Sequence, residues 1–126
     1  MKKLYFLFLL CSFIGFSQSP GDIVVTEYMN DSDAVSDTVG EWFELYNTTT
    51  SPIDLNGWTF QDDGRNSFTL TGTVVVPAES YFVMGRGPAD TMVNGGVNLD
   101  FSYGDGVFTL GNGEDEIVIL SPSMVE

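Results

Sequence analysis

Glu41-Trp42-Phe43-Glu44-Leu45-Tyr46-Asn47 leads through a polar turn into Pro52-Ile53-Asp54-Leu55-Asn56-Gly57-Trp58. The first stretch has the two-residue period of a strand, with Phe43 and Leu45 on one face and Trp42, Glu44 and Tyr46 on the other. Asn47 to Pro52 reads as a turn, because Asn and Ser bond local backbone groups and Pro52 fixes φ. The second stretch enters another strand through a Gly-Trp corner. Phe43 and Leu45 are expected in the core and Trp58 at a core corner. The face taken by Trp42 is left open.

Strand signals continue on both sides. Ile23-Val24-Val25-Thr26-Glu27-Tyr28-Met29 is β-branched and aromatic. Asn30 to Gly40 is polar and acidic and reads as a loop. Trp58-Thr59-Phe60-Gln61 and Ser67-Phe68-Thr69-Leu70 alternate around an Asp62–Asn66 turn, which puts Phe60 in the core. Val74 to Ala78 is extended and stopped by Pro77. Ser80-Tyr81-Phe82-Val83-Met84-Gly85 is apolar on both faces, as a central strand is, and Phe82 joins the expected core. Leu99 to Tyr103, Val107 to Leu110 and Asp115 to Leu120 complete the series. Short strands with frequent turn signals and no helical period after the leader predict an all-β sandwich of antiparallel strands.

The two ends carry a different signal. Lys2 and Lys3 precede an apolar run from Leu4 to Ile14, and Gly15-Phe16-Ser17 has the small residues of a cleavage site. Residues 1–17 are expected to be a secretory signal peptide. The run is short for a bilayer span, which needs ~20 apolar residues. Residues 18–126 then form one domain, exported to the periplasm, cell surface or medium. Met124-Val125-Glu126 resembles the start of another strand. Without it, Ile117 to Leu120 would be an open edge. The expectation is a fragment of a longer, multi-domain protein whose sandwich lacks its last strand.

Charge and composition exclude several chemistries. Once the leader is removed, two arginines face eighteen carboxylates, a net charge of −16. That balance disfavours nucleic acid, whose binding rests on cations neutralising phosphates. The sequence has no His, and its one cysteine, Cys11, lies in the leader. The commonest general base, thiol nucleophiles and thiolate metal sites are therefore absent from residues 18–126. No catalytic residue and no cofactor site is assigned.

Three groups of side chains are candidates for something more. Glu27 and Glu44 fall on strands expected to be neighbours. Paired carboxylates act as acid and base when their environments separate them, but a solvent-facing sheet position accounts for both. Asp31, Asp33 and Asp37 form the best oxygen-rich loop for Ca²⁺, which takes 6–8 oxygen ligands. They lack EF-hand spacing, and solvated turns explain them as well. Trp42, Tyr46, Trp58, Phe60, Tyr81 and Tyr103 would make a glycan-stacking platform, although such residues more often fill a core. Arg65 and Arg86, both in turns, are expected to form exposed pairs with nearby carboxylates.

Taken in order, these pieces resemble the lamin-tail domain. Ile23 to Glu27 resembles its first strand, Glu41 to Asn47 its acidic-Trp-aliphatic-Glu-Leu-aromatic-Asn strand, and Ile53 to Trp58 its Leu-x-Gly-Trp corner. Val76-Pro77-Ala78-Glu79-Ser80-Tyr81 resembles its Pro-Ala-Gly turn, with Glu79 in place of the Gly, and Gly113 to Val118 its penultimate strand. The resemblance spans about residues 22–121. It implies an immunoglobulin-like β-sandwich and a non-catalytic module. In nuclear lamins such a domain contacts proteins and chromatin. In exported bacterial proteins similar domains accompany nucleases, phosphoesterases and other hydrolases, or repeat in surface proteins. The leader and the scarcity of basic residues argue against carrying chromatin binding over. The expected role is an interaction or accessory domain with a protein or glycan partner. The alternatives are an N-terminal appendage of a secreted hydrolase and a Ca²⁺-dependent adhesive or glycan-binding module.

Overall fold

The computed structural model describes residues 18–62, 66–113 and 115–123. The expected signal peptide, the strand start at Met124 to Glu126, and Arg65 lie outside these residues.

Nine strands and one helical turn follow in order. They are β1 (Ile23–Met29), α1 (Asp37–Gly40), β2 (Trp42–Asn47), β3 (Ile53–Asp54), β4 (Thr59–Gln61), β5 (Ser67–Thr69), β6 (Val75–Val76), β7 (Tyr81–Gly85), β8 (Phe101–Ser102) and β9 (Val118–Leu120). One sheet has the order β1-β2-β7-β8, a second β5-β4-β9, and β3 pairs with β6. All pairs are antiparallel except β7 with β8. This is the nearly all-β sandwich that the alternation predicts, in the immunoglobulin-like form that the family resemblance implies.

The alternation has a direct packing consequence. Along β2, Phe43, Leu45 and Asn47 are buried while Trp42, Glu44 and Tyr46 are half-buried on the outer face. Phe43 meets Phe60 of the other sheet at a ring-centroid distance of 5.6 Å, which joins the two layers. Tyr103, Phe68 and Phe108 crowd the same spot, with ring centroids 5.2–6.2 Å apart. Such clusters exceed simple area burial by roughly 0.5–1.5 kcal/mol per aromatic pair. Leu45, Trp58 and Phe82 are also buried. β7 lies between β2 and β8, as its two-sided apolar pattern requires.

Three local expectations need correction. The acidic stretch before β2 is not loop throughout, since Asp37–Gly40 makes one helical turn closed by Ser36 and Asp37 carbonyls. Residues 107–110 form no strand. Gly104 and Gly106 take φ of 87° and 76°, which bends the chain so that Tyr103, Phe108 and Leu110 plug the core from an irregular segment. Burial of those side chains, and not a backbone ladder, sets the path. The final strand shortens for a related reason. Asp115 turns back to bind the amides of Gly111 and Glu116, so pairing begins only at Val118.

Asn47 closes the end of β2. It is 0 % exposed and shares its side-chain amide among the carbonyls of Ser51, Val76 and Pro77 at 2.9, 3.2 and 3.0 Å. Its Oδ1 accepts from the Thr49 amide and hydroxyl. One side chain therefore satisfies the turn after β2 and the end of β6, which would otherwise bury unpaired carbonyls.

Candidate functional site

The sandwich is open on one side. β1 is an end strand of its sheet, and no other described strand pairs along its outer edge. Facing it across a cleft of about 310 Å³ runs the chain that leads into β9. Residues 25–28 make one wall, and residues 110–111 and 115–117 make much of the other. The register shifts between Val25 and Glu27, a bulge that turns the Thr26 hydroxyl onto Glu44 Oε1 at 2.7 Å. Tyr28 stands 60 % exposed at the mouth.

The second wall has no ladder to hold it near its start, so side chains do that work. Asn30 Nδ2 donates to the Gly111 carbonyl at 2.8 Å. Asn112 Nδ2 donates to Asp37 Oδ2 at 3.1 Å. The Leu110 amide donates to Glu41 Oε2 at 3.3 Å. The acidic loop thus acts as a strut for the cleft.

Glu41 is the centre of this arrangement. Its side chain is 2 % exposed, and Arg86 Nη1 contacts both carboxylate oxygens at 3.1 Å. Arg86 Nη2 reaches Asp105 at 2.6 Å. Arg86 was expected in an exposed pair, but its side chain is only 13 % exposed. The Arg86 amide donates to the Glu41 carbonyl while its guanidinium folds onto the Glu41 carboxylate. Burial pushes the Glu41 carboxyl above its ordinary value, although Arg86 and the Leu110 amide oppose the shift. Burial pulls the Arg86 guanidinium down, but the bonds to Asp105 and Glu41 prevail and its pKa is raised. Tyr103 is raised by burial and then by the Glu41 charge, and its hydroxyl is buried with no hydrogen-bond partner among the described residues.

The sequence candidates distribute as follows. Glu27 and Glu44 stand directly opposite one another in the register of β1 and β2. Neither is buried, and Glu44 is occupied by Thr26. Asp31, Asp33 and Asp37 do not converge. No group of three or more acidic, His or Cys side chains suited to a metal comes together among the described residues, and Asp37 faces Asn112 instead. The aromatic set divides. Trp58, Phe60 and Tyr103 are core residues. Tyr46 and Tyr81 pair on the outer face at 4.7 Å, with Tyr81 61 % exposed. No helix among the described residues is long and apolar enough to cross a membrane.

Glu41 and Asn30 escape sequence reading as struts because their partners lie 45, 69 and 81 residues away, with no spacing to mark them. The scarcity of arginine was the one available signal. With only Arg65 and Arg86 as cations, residues 18–126 have few counter-charges for a buried carboxylate.

The cleft is lined by strand backbone, carboxylates and the Tyr28 ring. No curated protein matches the chain. The family model described as Lamin Tail Domain matches residues 17–124. The chain belongs to the lamin-tail-domain family, a family of non-catalytic immunoglobulin-like domains.

Proposed function

We propose that this chain is a non-catalytic interaction module of an exported, multi-domain protein. One observation carries the reading. The open edge presents strand backbone and carboxylate acceptors, facing a wall that the Glu41–Arg86 pair ties down through the Leu110 amide, a lining that suits a bound partner. The leader at residues 1–17 supports export. The net charge of −16 on residues 18–126 supports a partner other than nucleic acid. An appendage to a secreted hydrolase is the same role in another parent chain.

A second reading has one feature in its favour. The outer-face pair of half-buried Tyr46 and exposed Tyr81 is a surface on which a sugar ring can stack. Protein and glycan arrays probed with the purified protein, with and without chelator, separate the two. Binding on the protein array alone supports the first reading, and chelator-insensitive glycan binding lost in Tyr81→Ala supports the second. Blank arrays of both kinds contradict the module reading.

A further inference from the structure

We infer that the outer edge of β1 accepts an extended, positively charged peptide, which adds a strand to the β1-β2-β7-β8 sheet and lies in the cleft against residues 115–117. The inference rests on the module reading above and specifies its partner.

The edge supplies the backbone half of the recognition. β1 runs for seven residues, Ile23–Met29, and among the described residues pairs only with β2. In an antiparallel ladder alternate residues aim their N–H and C=O groups to opposite sides. Half of the β1 backbone groups therefore point away from β2, toward the cleft. Free groups of this kind are a template for another strand. The cleft gives such a strand a place to lie, and the exposed Tyr28 ring gives it an apolar contact.

Charge decides who the partner is. Glu27 lies on the near wall, and Asp115 lies on the far wall. The nearest described guanidinium, Arg86, is committed to Glu41 and Asp105. A second copy of this chain would bring the same acidic wall, and its residues 18–126 carry a net charge of −16. Like charges set opposite one another across strands are destabilising. The bulge at Thr26 and the charge of Glu27 thus guard the edge against self-pairing, as native edges commonly do. A strand with lysine or arginine at alternate positions meets no such barrier. It places cations beside Glu27 and Asp115 while its other face covers Tyr28 and Ile117.

The test uses ¹⁵N-labelled protein and a peptide that alternates valine and lysine, long enough to match β1. Matched controls are the same peptide with glutamate for lysine, and spermine, a polycation that cannot form a strand. The expected result is saturable amide shifts and slowed amide exchange confined to residues 23–29 and 110–118, with the lysine peptide only. Glu27→Lys, which turns the like-charge pair with Glu44 into an opposite-charge one, should hold or raise the melting temperature and still weaken the peptide about fivefold, the size of one partly exposed ion pair. Equal response to spermine overturns the proposal in favour of simple counter-ion attraction. Equal response to the glutamate peptide, silence at β1, or a concentration-dependent dimer using the same amides also overturns it. Silence at β1 from a protein that still binds on an array would remove the edge and leave the module reading standing.

Discussion

The Glu41 carboxylate holds Arg86 Nη1 with both oxygens at 3.1 Å and accepts the Leu110 amide through Oε2. This buried pair links β2, the end of β7 and the far wall of the cleft. Truncating one partner of a buried pair leaves an uncompensated charge and typically costs about 3–5 kcal/mol. Asp105 stays with Arg86, so Glu41→Ala is expected near the low end, roughly 3 kcal/mol by denaturant unfolding. The Leu110 amide should also exchange faster than in the parent. Stability within about 0.5 kcal/mol of the parent would mean the pair is not a structural link.

The same carboxylate makes a signed pH prediction. Its folded pKa is raised, so just above the ordinary carboxylate value the folded state holds more protons at this site than the unfolded state. The contribution is fully present below the unfolded value and is lost as pH rises through the folded one. The stability of the parent relative to Glu41→Gln should therefore decline as pH is raised from about 4.5 toward neutrality. A relative stability that climbs over that range would reverse the assignment.

Asn47→Ala removes the donor shared by three carbonyls and the acceptor for Thr49. Each buried carbonyl left unpaired costs roughly 1–3 kcal/mol, so a loss of about 3 kcal/mol is expected even if one regains water. Asn47→Asp, which keeps the shape and loses the donor, should fall almost as far. Thermal melting of the two variants against the parent reads both.

Glu79 has φ of 50°, in the left-handed region, and stands where the lamin-tail pattern has a glycine. An L side chain there costs about 1–2 kcal/mol, partly offset in Glu79→Gly by the greater freedom of glycine when unfolded. The variant should gain roughly 0.5 kcal/mol. A loss of stability would show that the Glu79 side chain contributes more than its backbone strain costs.

Asp31, Asp33 and Asp37 form no three-ligand group among the described residues, and Asp37 is bonded to Asn112. Millimolar Ca²⁺ should leave the melting temperature unchanged beyond the effect of matched Mg²⁺. A calcium-specific rise, lost in Asp33→Asn, would revive the loop as a metal site.

Much of the sandwich was legible because its cause is local. The alternation in Trp42–Asn47 maps directly onto inner and outer faces, and Phe43, Leu45 and Phe60 sit where a two-residue period places them. The segment from Tyr103 to Leu110 was less legible, since its apolar residues look like a strand and are buried without one. Long-range pairing hid the rest. Nothing near Glu41 in the chain announces Arg86 or Leu110, and nothing near Asn30 announces Gly111. Asn47 read as a turn residue because its Thr49 contacts are local, while its bonds to Val76 and Pro77 span about thirty residues. The contact of the acidic loop with the turn at Asn112 was hidden for the same reason, since Asp37 and Asn112 lie 75 residues apart.

Turnover is the most direct test of a module that holds and does not cut. The purified protein, supplied with chromogenic phosphodiester, carboxylic ester and glycoside substrates and with divalent cations, should match the rate of substrate alone. Hydrolysis above that background that co-purifies with the protein and disappears in Glu27→Gln or Glu44→Gln would contradict the account.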